Sequence, residues 1–184
     1  MSLHSLTVPT FTQMLRALSG WLSKTEAHAE PGAADALLAA RLAPDMFPLA
    51  TQIRFACVQA HEAACRLRGA EFPPVIDELL DEGRAGGEAP GSMASAQARI
   101  EETVAMLESL APADLDMDLE SPVVHTLANG MVFDLTAEEY ARDWAIGQFY
   151  FHVMTAYAIL RAQGVALGKA DYIPHLLPRL RTGG

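Results

Sequence analysis

The sequence predicts an all-α fold: a four-helix bundle with a long crossover connection, plus a small β-hairpin before the last helix. Alanine and leucine supply 55 of the 184 residues, whereas valine and isoleucine supply 15. This bias favours side chains that lose little freedom in a helix. Apolar residues also recur at helical spacing in several stretches. At this length we expect a single domain, residues 1–184, with a substantial core.

The first helix is predicted from about residue 9 to residue 28, with Thr7 or Thr10 as its N-cap and Pro9 tolerated in its first turn. Apolar side chains at helical spacing should form its buried seam: Phe11, Leu15, Leu18 and Leu22. A short helical piece is expected next, over residues 34–42.

The second helix is predicted from an N-cap at Asp45 to about Arg68, with Pro48 in its first turn. Its apolar seam steps by three and four residues: Met46, Ala50, Ile53, Cys57, Ala60, Ala64 and Leu67. This spacing is typical of a helix in a bundle.

The connection to the third helix is long and polar. Residues 75–80 are expected to hold one helical turn. Residues 83–92 contain four glycines and a proline, which predicts a flexible linker. The third helix should then run from about Met93 to Leu110.

Strand character is confined to residues 123–136, where Asn129-Gly130 is typical of a hairpin with a two-residue turn. Thr136 and Glu139 form a capping box for the last helix, which should reach about residue 163. Residues 165–184 are expected to form a C-terminal tail.

The chain is acidic, with 23 Asp and Glu against 13 Lys and Arg and a net charge of −10. This balance argues against nucleic-acid binding, because phosphates require a basic surface. Residues 71–139 hold 16 of the acids and only two of the bases. We interpret this segment as a solvated face with acidic loops; the alternative is a docking surface for a basic partner or a second subunit.

We expect a cytoplasmic protein without membrane contact. The N-terminus lacks a basic leader followed by an apolar run. The longest charge-free apolar stretch, residues 144–160, has 17 residues, against the roughly 20 that span a bilayer. Cys57 and Cys65 lie eight residues apart on one predicted helix. Their Cα atoms should be about 12 Å apart, too far for a disulfide, and unpaired cysteines are typical of a reducing compartment.

The last helix carries the residues that bear on function. It is apolar on most sides, as expected of a helix surrounded by others. Gln148, His152 and Thr155 share one of its faces, at spacings of four and three. A polar stripe on a buried helix costs free energy unless it is satisfied. One interpretation is that these residues are hydrogen-bonded in the core or lie in a subunit contact. The other is a polar pocket in which His152 is a ligand or a general base.

The segment from His152 to Gly164, HVMTAYAILRAQG, resembles the last helix of the DinB/YfiT-like superfamily. Four segments are similar to a bacterial branch of that superfamily known only as a domain of unknown function: LTVPTFTQML, RLAPDMFPLA, ARIEETVAMLESL and FYFHVMTAYAILRAQGVALGKADY. The resemblance spans nearly the whole chain and implies the DinB-like bundle. It also implies a homodimer, because bundles of this superfamily commonly associate in pairs.

The superfamily typically binds a divalent metal through one histidine of the second helix and an H-x-x-x-H pair of the last. The resemblance places His152 at the second histidine of this pair and Gln148 at the first. Gln52 is the positional counterpart on the second helix, and His61 is the nearest histidine there. A glutamine carbonyl is a weak ligand for zinc, nickel or iron(II), so the resemblance implies a degenerate metal site.

Two histidines outside the last helix are further candidates for this site. His61 is spaced seven residues from both Arg54 and Arg68, which predicts a partly exposed basic flank, with the pocket as the alternative. His125 lies in the predicted hairpin, where alternation can turn it either way. If the hairpin folds over the mouth of the bundle, His125 supplies a third imidazole.

Two functions are compatible with these residues. The first is a non-catalytic bundle with a degenerate metal site, which binds a small apolar or amphipathic molecule beside Gln148, His152 and Thr155 or serves as a dimeric scaffold. The alternative is a metal-dependent enzyme of thiol-transfer or hydrolase type in detoxification or stress response, as some DinB-like relatives are. His152 would then ligate the metal, with further ligands drawn from Gln148, Gln52, His61 and His125. We favour the first function.

Overall fold

The computed structural model describes residues 2–30, 32–127 and 129–181. These ranges contain five long helices: α1 (Leu3–His28), α2 (Leu49–Arg66), α3 (Pro74–Ala85), α4 (Met93–Glu108) and α5, which joins Ala137–Glu139, Tyr140–Ala145 and Ile146–Ala162. Shorter helical pieces cover Ala33–Ala36, Leu37–Ala39, Pro112–Leu115, Lys169–Tyr172 and Pro174–Arg179.

The predicted fold class is confirmed. Helices α1 and α2 each pack against both α4 and α5, so the four enclose one apolar core, while α3 lies against α2 within the crossover connection. Within the described ranges, no helix has both the length and the apolar character needed to cross a bilayer.

Helix α1 begins earlier than the sequence predicts. Ser2 and Ser5 form a capping box, in which the Ser5 N–H donates to Ser2 Oγ at 3.1 Å and the Ser2 N–H donates to Ser5 Oγ at 3.0 Å. The expected start near residue 9 is therefore wrong, and Pro9 lies inside the helix on its exposed face. The predicted seam of α1 is buried as expected.

Helix α2 begins at Leu49, with Pro48 as its N-cap. The prediction that Asp45 caps this helix is wrong, since Asp45 is exposed and lies in the preceding loop. No side chain caps the helix. The backbone of the incoming loop does so instead, because the carbonyl of Ala40 accepts from the Leu49 N–H at 2.9 Å.

Helix α3 replaces the first part of the predicted linker. Gly83 is buried within α3, and its carbonyl accepts a hydrogen bond from Thr51 Oγ1 at 2.7 Å. A Cβ atom at this position would lie 2.4 Å from the ring of Phe55. The glycine therefore permits close packing of α3 on α2, and only residues 86–92 connect α3 to α4.

Ion pairs fix α3 to its neighbours. Glu82 pairs with Arg54 of α2 at 3.3 Å, and Arg99 of α4 pairs with Glu82 and with Glu78. Arg54 is 3% exposed. The predicted basic flank of α2 is therefore wrong at Arg54, because α3 and α4 cover that side.

The hairpin pairs β1 (Pro122–Thr126) with β2 (Val132–Thr136), with His125 opposite Phe133. The hairpin prediction is confirmed, but the two-residue turn is wrong. The N–H of Leu127 donates to the carbonyl of Met131 at 2.8 Å, which leaves three residues between them. Gly130, at φ 85°, supplies the positive φ that this loop needs.

Helix α5 begins at the predicted capping box, with Thr136 Oγ1 accepting from the Glu139 N–H at 3.2 Å and Glu139 Oε2 accepting from the Thr136 N–H at 2.9 Å. Its second segment, Tyr140–Ala145, is π-helical. Such segments are rare and frequently lie at functional sites. The tail beyond α5 lies on α1, where Trp21 Nε1 donates to the carbonyl of Asp171 at 2.8 Å.

Candidate functional site

The polar stripe of α5 is divided between the core and the surface. His152 and Thr155 are buried, whereas Gln148 is half-buried. The Thr155 hydroxyl donates to the carbonyl of Phe151 at 2.6 Å, within the same helix. Of the three, only His152 makes a hydrogen bond to another helix within the described ranges.

His152 meets Gln52 of α2. His152 Nδ1 lies 2.9 Å from Gln52 Oε1, and Gln52 Nε2 donates to the carbonyl of Phe47 at 3.2 Å. The second bond fixes the amide so that its oxygen faces the imidazole. Because that oxygen only accepts, Nδ1 must carry the proton. Nε2 then keeps its lone pair and has no partner in the described part of the chain.

Aromatic rings surround this imidazole. The rings of Phe55 and Phe151 lie 5.5 and 5.4 Å from that of His152, between centroids, and Phe47 lies 5.6 Å from Phe55. Burial lowers the pKa of His152 to about 4. The ring is therefore neutral near pH 7, and its free Nε2 is a hydrogen-bond acceptor or base in an aromatic setting. We call His152, Gln52 and the three phenylalanines, Phe47, Phe55 and Phe151, the His152 site.

His61 lies elsewhere. It is buried, and its Nε2 is 3.3 Å from the hydroxyl of Thr103 on α4, which itself donates to the carbonyl of Arg99 at 2.7 Å. The prediction of a partly exposed flank is wrong for His61, because α4 covers that side of α2. Burial lowers its pKa to about 4, with Arg99 contributing.

His125 is buried under the hairpin, far from His152. Its ring centroid lies 4.3 Å from that of Trp144 and 5.6 Å from that of Tyr140. Trp144 precedes His152 by eight residues, about 12 Å along the helix axis. The hairpin thus brings His125 to the start of α5, next to Arg66 at the end of α2.

Sequence reasoning did not single out Tyr140, Trp144 and Arg66 as functional candidates. Trp144 carries the one sequence signal that points to this region, since it lies four residues before Gln148 and extends the same stripe.

The donor chemistry around His152 does not fit the three-imidazole metal site that is typical of the superfamily. Gln52 Oε1 already accepts from the His152 ring, so a single imidazole nitrogen remains. No group of three or more His, Cys, Asp or Glu side chains in the described ranges could hold a metal ion. Cys57 is also directed elsewhere: it is fully buried, faces the carbonyl of Arg99, and burial raises its pKa to about 11.

Comparison with known proteins supplies the relationship. The family model of a domain of unknown function, DUF1993, matches residues 3–173. The crystal structure of a DinB family member from Shewanella denitrificans is similar, with 34% identity and a TM-score of 0.73 over 93% of this chain and 91% of that one. No curated protein matches the chain. The chain belongs to the DUF1993 family, a domain of unknown function within the DinB-like superfamily.

Proposed function

We propose that this chain is a metal-independent bundle that binds a small molecule at His152. The ligand carries a hydrogen-bond donor on an apolar body: the donor meets His152 Nε2, and the body packs against Phe47, Phe55 and Phe151. The supporting observation is the relay from the Phe47 carbonyl through Gln52 to His152, which fixes one tautomer and leaves one acceptor.

The metal-dependent alternative is less well supported. A zinc, nickel or iron(II) ion at His152 needs strong donors besides one imidazole. Gln52 orients the imidazole instead of adding to that set, and His61 and His125 face other elements. The thiol-transfer or hydrolase reaction therefore remains the second candidate.

Phenol and anisole form a pair of probes, because a methyl group replaces the hydroxyl hydrogen of phenol in anisole and removes the donor. Calorimetric titration of untagged protein should give saturable phenol binding and at least tenfold weaker anisole binding. His152→Phe should lose the preference for phenol, while His61→Phe, a buried histidine that faces α4, should keep it.

Equal binding of both probes, or an unchanged preference in His152→Phe, would contradict the ligand site. Elemental analysis and Zn²⁺ titration of the same protein test the alternative. Stoichiometric metal that is lost in His152→Ala would favour the enzyme.

We further propose that two copies pair through the exposed face of α5. Phe151 and Met154 lie one turn apart there and are 58% and 38% exposed. Adjacent exposed apolar side chains on a helix are typical of an interaction surface. In light scattering after size exclusion, Met154→Glu should reduce a dimer to a monomer. Leu176→Glu, which changes an equally apolar exposed residue of the tail, should remain dimeric.

A monomeric wild-type chain, or equal dissociation by both variants, would contradict this pairing.

The cytoplasm is the compartment that we propose, because Cys57 and Cys65 are both buried free thiols.

A further inference from the structure

Within the described ranges, buried polar atoms without a hydrogen-bond partner are concentrated at the hairpin. Five of them belong to four side chains, here called the hairpin cluster: His125 Nδ1 and Nε2, Tyr140 Oη, Trp144 Nε1 and Arg66 Nε. Tyr140 is 0% exposed and His125 is 3% exposed. Nearly all buried polar atoms in proteins have a hydrogen-bond partner. Five such atoms in one group indicate a hydrogen-bond partner that the chain itself does not supply.

The four side chains form one compact group. The His125 ring packs at a tilt against Trp144 and Tyr140, at centroid distances of 4.3 and 5.6 Å. The guanidinium carbon of Arg66 lies 5.9 Å from the centroid of Tyr140. Three elements thus deliver these groups to one place: β1, the π-helical segment of α5 and the last turn of α2.

The cluster is rich in donors. Arg66 and Trp144 only donate, Tyr140 can donate once, and His125, whose pKa burial lowers to about 4, is neutral with one donor and one acceptor. Arg66 is permanently charged, and no carboxylate pairs with it in the described part of the chain. Burial raises the pKa of Glu62, a nearby carboxyl group, and the charge of Arg66 partly offsets this shift.

The hairpin covers the cluster. Its inner face places His125 inward, while Val124 and Val132 on its outer face are 56% and 53% exposed. Arg66 Nη1 donates to the carbonyl of Val124 at 3.3 Å, a long bond, and Phe133 packs on Trp144 at 5.4 Å between centroids. Outward movement of the hairpin would withdraw the rings of His125 and Phe133 from Trp144.

We propose that the hairpin cluster is a second binding site, which takes a small molecule with a carboxylate on a planar apolar body, and that the hairpin is its lid. The carboxylate accepts from Arg66, Tyr140 and Trp144, and the planar body stacks on the rings of Trp144 and His125. This site does not depend on the His152 site.

Trp144 provides the reporter. It is one of two tryptophans, so Trp21→Phe leaves it as the only indole, and circular dichroism verifies that this background is folded. Benzoate, benzamide and benzylammonium are the probes, because they differ in the charge of the head group on the same ring. We expect saturable change of Trp144 emission by benzoate, at least tenfold weaker binding of benzamide, and none of benzylammonium.

Variants in the same background locate the site. Tyr140→Phe and Arg66→Gln should each weaken benzoate binding at least tenfold, Arg66→Lys less, and His152→Phe should leave it unchanged. Tyr140→Phe removes one buried oxygen only, so it decides the matter if Arg66→Gln does not fold. Benzoate should also slow amide hydrogen exchange over residues 122–127.

Non-saturable emission changes, equal affinity for benzylammonium, or full binding by Tyr140→Phe would overturn the proposal. A crystal structure at saturating benzoate that shows only water on the five atoms would do the same. If the protein binds benzoate but does not bind phenol at His152, the proposed function is contradicted and the second site is not.

Discussion

The two ends of the interface between α2 and α5 contain similar polar groups but treat them oppositely. At one end, Gln52 connects the Phe47 carbonyl to His152, and one nitrogen remains free. At the other, the polar atoms of His125 and Tyr140 are buried and have no hydrogen-bond partner within 3.5 Å among the described residues. The difference shows that burial alone does not identify a finished core. At the first end the chain itself satisfies the His152 ring N–H, whereas the second depends on a group that the chain does not supply.

Acidification should have the largest effect, because it acts on both ends. Burial lowers the pKa of His125 and of His152 to about 4, from an ordinary value of 6.5, and that of His61 to the same value. As the pH falls, the unfolded chain takes up these protons first. The free energy of unfolding should therefore be retained above about pH 6.5 and fall between pH 6.5 and 4, by about 1.4 kcal/mol per pH unit for each imidazole. Urea unfolding at a series of pH values measures this slope.

Single-histidine variants show which end of the interface between α2 and α5 causes the pH dependence of the free energy of unfolding. His125→Phe and His152→Phe should each flatten the curve between pH 6.5 and 4. After burial, the charge of Arg66 contributes to the low pKa of His125, whereas burial accounts for that of His152. Arg66→Gln should therefore flatten the hairpin contribution only. Identical slopes in all variants would show that neither imidazole is responsible.

Two glutamines of α2, Gln52 and Gln59, provide the next comparison between the two ends of the interface. Gln52→Leu leaves the His152 ring N–H and the Phe47 carbonyl unpaired, at a cost of about 2 kcal/mol. Gln59 lies seven residues further along, and its Oε1 is buried and has no partner. Gln59→Leu should therefore change the free energy of unfolding by less than about 0.5 kcal/mol. Equal losses in denaturant unfolding would erase the contrast.

The smallest effect is expected for Tyr140→Phe, which removes a hydroxyl that has no partner. We expect no loss and a gain of up to about 1 kcal/mol in the free energy of unfolding. Thr51→Val is the counterpart, since its hydroxyl donates to the carbonyl of Gly83 at 2.7 Å, and it should lose about 1 kcal/mol. A clear loss in Tyr140→Phe, measured by thermal unfolding, would mean that its hydroxyl is satisfied.

Local signals in the sequence predicted much of the fold. The apolar seams of α1 and α2, the hairpin and the Thr136 capping box all depend on residues within one or two turns of each other. The start of α1 was missed because Pro9 outweighed the serine pair at residues 2 and 5. Helix α3 was missed because Gly83 has a packing role that is invisible without the ring of Phe55 beside it.

The candidate site was harder to predict, because it depends on contacts between distant elements. The spacing on α5 identified His152, and the resemblance identified Gln52, which the structure places against it. The burial of His61 follows from α4, and that of Arg54 from α3 and α4, so periodicity within α2 could not reveal either. The position of His125 is set by the docking of the hairpin, which alternation leaves undetermined.

The π-helical segment Tyr140–Ala145 makes α5 one residue longer than its α-helical path requires. Deletion of one residue there would restore the regular helix and rotate everything before it by about 100° relative to His152. The capping box and the hairpin would move with it, and Tyr140 would leave its present partners. A change of one residue in the length of this segment would therefore reposition the hairpin in a relative, while the part of the bundle around His152 stays unchanged.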